Sequence, residues 1–194
     1  MSKKVNILKS ETAYDGFFKI VRYTIEHSLF GGGLSRPYTR EVFERGHAVA
    51  VLMHDPVLNK IVLVEQFRIG AIDSDNPWLI ELVAGIVEPG ESAEDVAIRE
   101  AEEESGASIS GLELLCSYYN SAGGSSETTS IFYAEVDSSN IEGVHGLDVE
   151  NEDIRVVKLD VHVFIDMLHK NEFKAASLVT AGYWLSLTKG LTSH

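Results

Sequence analysis

The sequence predicts an α/β protein in which helices cover a mixed sheet on both sides. Three observations carry this expectation. Apolar, β-branched runs recur along the chain, one amphipathic helical run interrupts them near residue 93, and two more helical runs follow the last strand. With 194 residues, the chain has room for one domain with a sizeable core and an appended element.

From the N-terminus, Phe17 to His27 alternates as a strand does, Gly31-Gly32-Gly33 offers a turn, and Tyr38 to Glu44 can return as its partner. These segments form a β-rich arm over residues 1–45, ahead of a domain over residues 46–194. His47 to Met53 and Lys60 to Phe67 are joined by HDPVLN, whose Asp-Pro and Asn mark the turn of a hairpin. Trp78 to Ala84 is the next strand. Leu112 to Asn120, Thr128 to Val136 and Ile154 to Leu159 read as further strands, and Val161 to Lys170 and Ala175 to Lys189 as closing helices.

The stretch from Gly85 to Ala107, GIVEPGESAEDVAIREAEEESGA, carries the chemistry. Ser92 with Asp95 three residues on starts a helix, and Gly106 stops it. Glu100, Glu102, Glu103 and Glu104 crowd its last turns, where the macrodipole makes each carboxylate unfavourable by about 0.3–1 kcal/mol. At the helical repeat, Glu100 and Glu104 fall in the apolar stripe of Ala93, Val96 and Ala97, while Glu94, Asp95 and Glu102 form a separate solvated face. An ordinary polyacidic surface helix does not explain acids on the inner side. Buried carboxylates call for a cation.

The spacing of Gly85, Glu91, Arg99-Glu100-Ala101, Glu103-Glu104 and Gly106 resembles the Nudix box, the signature of hydrolases acting on nucleoside diphosphates linked to another group. The resemblance implies an α/β/α sandwich and a magnesium site, with manganese able to substitute. It assigns metal binding to Glu100, Glu104 and the carbonyl of Ala84, and to Glu103 a place as a further ligand or support. Arg99 and Glu91 would pair to brace the loop on the helix. Hard oxygen donors suit magnesium.

Three more stretches, REVFERGHAVAVL from Arg40, EQFRIGA from Glu65 and HGLDVENEDI from His145, resemble the ADP-ribose pyrophosphatase branch of that family. They imply that Arg40 and Arg68 bind substrate, that Glu150 is the general base and that Glu152 is a metal ligand; Glu81, in the strand before the box, is a further candidate to touch substrate or to support a residue that does. Asp148 and Asp153 complete the acidic loop. The branch also implies a homodimer that exchanges N-terminal strands, and hydrolysis of ADP-ribose to AMP and ribose 5-phosphate. One departure bears on substrate: Ala122, in Ser121-Ala122-Gly123-Gly124, stands where such members carry a proline. Another nucleotide sugar such as GDP-mannose is therefore the alternative substrate, and a non-catalytic ADP-ribose sensor the alternative class.

A net charge of −14 argues against a nucleic-acid or anionic-membrane binder, since no basic tract supplies the footprint. MSKKVNIL is too short and polar for a secretory segment and no run of about 20 apolar residues could span a bilayer, so the expected location is the cytoplasm. Cys116 is expected as a core thiol, and His47, His145 and His194 as structural or exposed.

Overall fold

The computed structural model describes residues 3–188, so the expected helix end at Lys189 and His194 lie outside the described residues. Among the described residues eleven strands and three α-helices follow in order: β1 Val5–Asp15, β2 Lys19–His27, β3 Tyr38–Glu44, β4 His47–Asp55, β5 Lys60–Phe67, β6 Trp78–Glu81, β7 Val83–Val87, α1 Ala93–Ser105, β8 Glu113–Tyr119, β9 Thr128–Glu135, β10 Val144–His145, β11 Ile154–Asp160, α2 Val161–His169 and α3 Ala176–Thr188. They fall into two compact units.

The first unit comprises residues 1–47 and 118–128. Its antiparallel sheet has the order β1-β2-β3. β2 and β3 pair as the sequence predicts, with Lys19 opposite Glu44 and Ile25 opposite Tyr38. β1 was not among the predicted strands. Register shifts between Ile7 and Lys9 and between Thr12 and Tyr14 break its alternation, and nearly all its residues are exposed, so no period-2 pattern survives to be read. Phe43 N–H donates to Gly124 O at 2.8 Å, which ties the Ser121–Ser125 turn to β3.

The second unit holds the mixed sheet, of order β10-β11-β5-β4-β9-β8. β4 and β5 form the predicted hairpin, Met53 opposite Val62, while β4 runs parallel to β9. The hairpin splays after three residue pairs. β6 then pairs with β5 and β7 with β4, so the expected strand from Trp78 to Ala84 is broken at Leu82, where it changes partner. Asp55 closes the hairpin turn by accepting from the N–H groups of Val57 and Leu58 and from Ser138 N–H and Oγ. Burial opposes its charge, but those four donors hold its pKa down at about 2.

Period-2 alternation sorts the side chains between the two faces of the sheet. Val49, Val51 and Met53 of β4 join Val62, Val64 and Phe132 in one core with Val96, Ala97 and Ala101 of α1. On the opposite face Tyr133 of β9 meets Trp184 of α3, ring centroids 5.5 Å apart. Helices therefore cover both sides, as expected for an α/β sandwich.

Candidate active site

The site is built where α1 ends over β7 and the splayed end of β5. Ser92 caps α1 by accepting from Asp95 N–H at 3.1 Å, and Gly106 ends it in the left-handed region at φ 69°, as the sequence predicts. Glu94, Asp95 and Glu102 are exposed, whereas Glu104 is only 3% exposed. The apolar stripe thus carries a carboxylate into the interior.

Two neutral donors meet Glu104. Ala84 N–H donates to Oε2 at 3.0 Å and the Gln66 amide donates to Oε1 at 3.3 Å. Burial nevertheless pushes the Glu104 pKa up to about 8, with Glu100 adding repulsion and Arg68 opposing it. Glu100 is raised to about 7, mainly by burial, while Arg99 lowers it and Glu103 and Glu152 raise it. Gly85 lies directly against Glu100. A Cβ there would overlap its carboxylate, so glycine leaves Glu100 free to hold this position against β7.

Arg99 does more than brace the loop. It reaches Glu91 at 3.6 Å as expected, but lies closer to Glu100 Oε1 at 2.8 Å and Glu103 Oε2 at 2.9 Å. Among the described residues no three Asp, Glu, His or Cys side chains converge as a finished metal shell. The chemistry of the donors still fits a hard divalent cation: Glu100 and Glu104 lie near enough to repel one another, Glu100 packs against Gly85 of β7, and titration near neutrality leaves both easily deprotonated by a metal.

Of the other candidates, Arg68 and Glu81 come together, with Arg68 Nε donating to Glu81 Oε2 at 2.7 Å. Pairing of Val64 with Glu81 puts this couple on the α1 side of the sheet. Glu152 accepts from Leu147 N–H at 3.2 Å and lies near enough to Glu100 to perturb it. Glu150 ends a single helical turn, Asp148–Glu150, and is exposed. Among the described residues no side-chain bond joins it to the acids of α1. Arg40 belongs to the first unit, where it is exposed, donates to Thr39 O at 2.9 Å and stacks over the Tyr38 ring at 4.6 Å. Cys116 is half-buried, not a core residue, because β8 exposes part of both faces; burial raises its pKa.

Two contributors escaped the sequence reading. Gln66 is one, and alternation along Val62, Val64, Gln66 and Arg68 could have shown it facing α1. The other is the docking of the acidic loop: Gly146 N–H donates to Glu103 O at 3.3 Å, and the His145 ring sits against Gly106 while its Nε2 lies 2.9 Å from Glu142 O. His145 shows no ligand spacing in sequence, so only tertiary structure reveals this contact.

Comparison with known proteins places this geometry in context. The chain is 46% identical over 184 residues to an ADP-ribose pyrophosphatase of Escherichia coli (strain K12), covering 94% of this chain and 88% of that protein. It is 47% identical over 156 residues to an ADP-ribose pyrophosphatase of Haemophilus influenzae, covering 78% and 72%. A GDP-mannose pyrophosphatase of Enterobacter sp. (strain 638) is 31% identical over 177 residues, covering 90% and 91%. The family model for the NUDIX domain matches residues 44–179, a span that includes α1, both flanking loops and every candidate ligand, and the chain belongs to that family.

Proposed function

We propose that the protein is a magnesium-dependent ADP-ribose pyrophosphatase, adding water across the diphosphate to give AMP and ribose 5-phosphate. The observation that carries this reading is the buried Glu104 carboxylate, held by uncharged donors next to Glu100 at the end of α1. That arrangement is costly for the apoprotein and suited to a cation. Magnesium held by Glu100, Glu103, Glu104, Glu152 and the Ala84 carbonyl, or manganese in its place, would neutralise the diphosphate and make the attacking water more acidic.

The remaining work falls to side chains of this chain. Glu150, on the exposed turn of the acidic loop, takes the proton from the water. Arg68 binds phosphate oxygens through its planar fork, oriented by Glu81, and Arg40 supplies a second cation from the N-terminal unit. We read residues 1–45 as a dimerisation arm that also contacts substrate, and the active form as a homodimer with exchanged N-terminal strands. Exposed Val5, Ile7, Leu8 and Phe17 in that arm support an apolar partner. Among the described residues no helix is long and apolar enough to cross a membrane. The reading locates the enzyme in the cytoplasm, with its nucleotide-sugar substrate.

ADP-ribose is favoured over GDP-mannose by the higher identity to the ADP-ribose pyrophosphatases. Ala122 in place of proline is the observation on the side of GDP-mannose. A substrate panel of ADP-ribose, GDP-mannose, NADH and diadenosine polyphosphates, each with and without magnesium, decides the matter by chromatography of the mononucleotide released. AMP from ADP-ribose at the highest kcat/KM is the expected result. ADP-ribose binding without turnover would indicate a sensor instead.

A further inference from the structure

We infer that Gln66 is a positioning residue for Glu104, and that through it β5 tunes the divalent-metal affinity of the site. The inference rests on the metal-site reading above. Val62, Val64, Gln66 and Arg68 share one face of β5, and the first two belong to the core beneath α1. Gln66 is 6% exposed at a position where a third valine would continue that core. A buried amide is unfavourable unless it is hydrogen-bonded, and here its nitrogen is directed at Glu104 Oε1.

With Ala84 N–H on Oε2, the carboxylate is held at both oxygens from two different strands, β5 and β7. A carboxylate offers about four lone-pair directions, so two held by protein leave the other two for a cation. Both donors are uncharged. Unlike Arg99 beside Glu100, they fix the carboxylate without competing electrostatically for it. Groups that orient metal ligands in this way typically change metal affinity by about 10–100-fold when removed.

The test uses Mn2+ as probe on the full-length, metal-free protein, with free Mn2+ followed by electron paramagnetic resonance. Gln66→Met keeps length and volume but removes the donor, and is expected to weaken Mn2+ binding by about 10–100-fold. Gln66→Asn retains the amide but loses its reach, and should weaken binding in the same direction. Melting with and without Mn2+ separates positioning from packing: the metal-induced rise should shrink while the metal-free midpoint is maintained. Affinity within about threefold of the unsubstituted chain in either variant, whatever its melting, would overturn the inference. Failure of the unsubstituted chain to bind Mn2+ would overturn the metal site itself, and the role of Gln66 with it.

Discussion

The Ala84 amide donates to Glu104 Oε2 at 3.0 Å, which locks the last turn of α1 to β7 through an ionisable group instead of an apolar one. If that carboxylate serves a metal, its charge matters and its shape does not. Glu104→Gln preserves size and can still accept from Ala84, and Gln66 can turn its amide to suit. It should lower magnesium-dependent kcat/KM on ADP-ribose by at least about 100-fold, as befits a direct ligand compared with an outer partner. Circular dichroism should show the same fold. Undiminished turnover would remove Glu104 from the machinery.

The same burial sets a pH dependence of stability. Folding raises Glu104 to about 8 and Glu100 to about 7 from an ordinary 4.5. Between those values the native state binds more protons than the unfolded chain, so stability falls as pH rises. The loss begins above about 4.5 and is complete once pH passes about 8. Magnesium bound by the ionised carboxylates, as proposed, should flatten this slope, protecting most at alkaline pH. Urea unfolding at several pH values, in chelator and in magnesium, reads both effects. Metal-free stability that climbs between pH of about 5 and about 8 would contradict the assignment of the shifts to these two acids.

Much of this site is legible in the sequence because its signals are local. Ser92 and Gly106 bound α1, and the helical repeat alone puts Glu100 and Glu104 on the stripe of Val96 and Ala97. What is not legible depends on neighbours distant in sequence. The split of the Trp78–Ala84 run at Leu82 follows from the splay of β4 and β5, which no residue in the run announces. Arg99 has three acids within reach along the box, and tertiary distance decides that Glu100 and Glu103 hold it more closely than Glu91. The bulged, solvent-facing β1 lacks the alternation by which strands are recognised. In DVENED, where acids follow one another, spacing alone does not separate Glu152, which perturbs Glu100, from the exposed Glu150.

Arg68 separates binding from folding. Its pair with Glu81 at 2.7 Å is partly exposed, so it should contribute less than about 1 kcal/mol to stability. A charge-assisted contact to phosphate is stronger, about 1.5–3 kcal/mol. Arg68→Ala is therefore expected to leave the melting temperature nearly unchanged and raise KM for ADP-ribose by about 10–100-fold. Arg68→Lys should recover part of that loss, since lysine keeps the charge and lacks the fork. Steady-state kinetics on the two variants give the answer, and an unchanged KM in Arg68→Ala would leave the arginine a purely structural partner of Glu81.

The N-terminal unit presents an apolar surface that a soluble monomer has little reason to display. Val5 is 64% exposed, Ile7 62% and Phe17 90%, within a sheet of only three strands. Such a sheet needs an apolar face covered to be stable. Deleting about the first 40 residues should give a chain that is monomeric by light scattering and binds ADP-ribose at least about tenfold more weakly, because Arg40 and the arm leave together. Ile7→Glu makes the milder test: it keeps the strand and places a charge on the surface, so it should shift the dimer towards monomer in a concentration-dependent way. A truncated monomer with full affinity for ADP-ribose would refute the shared site, and a monomeric unsubstituted chain would refute the dimer.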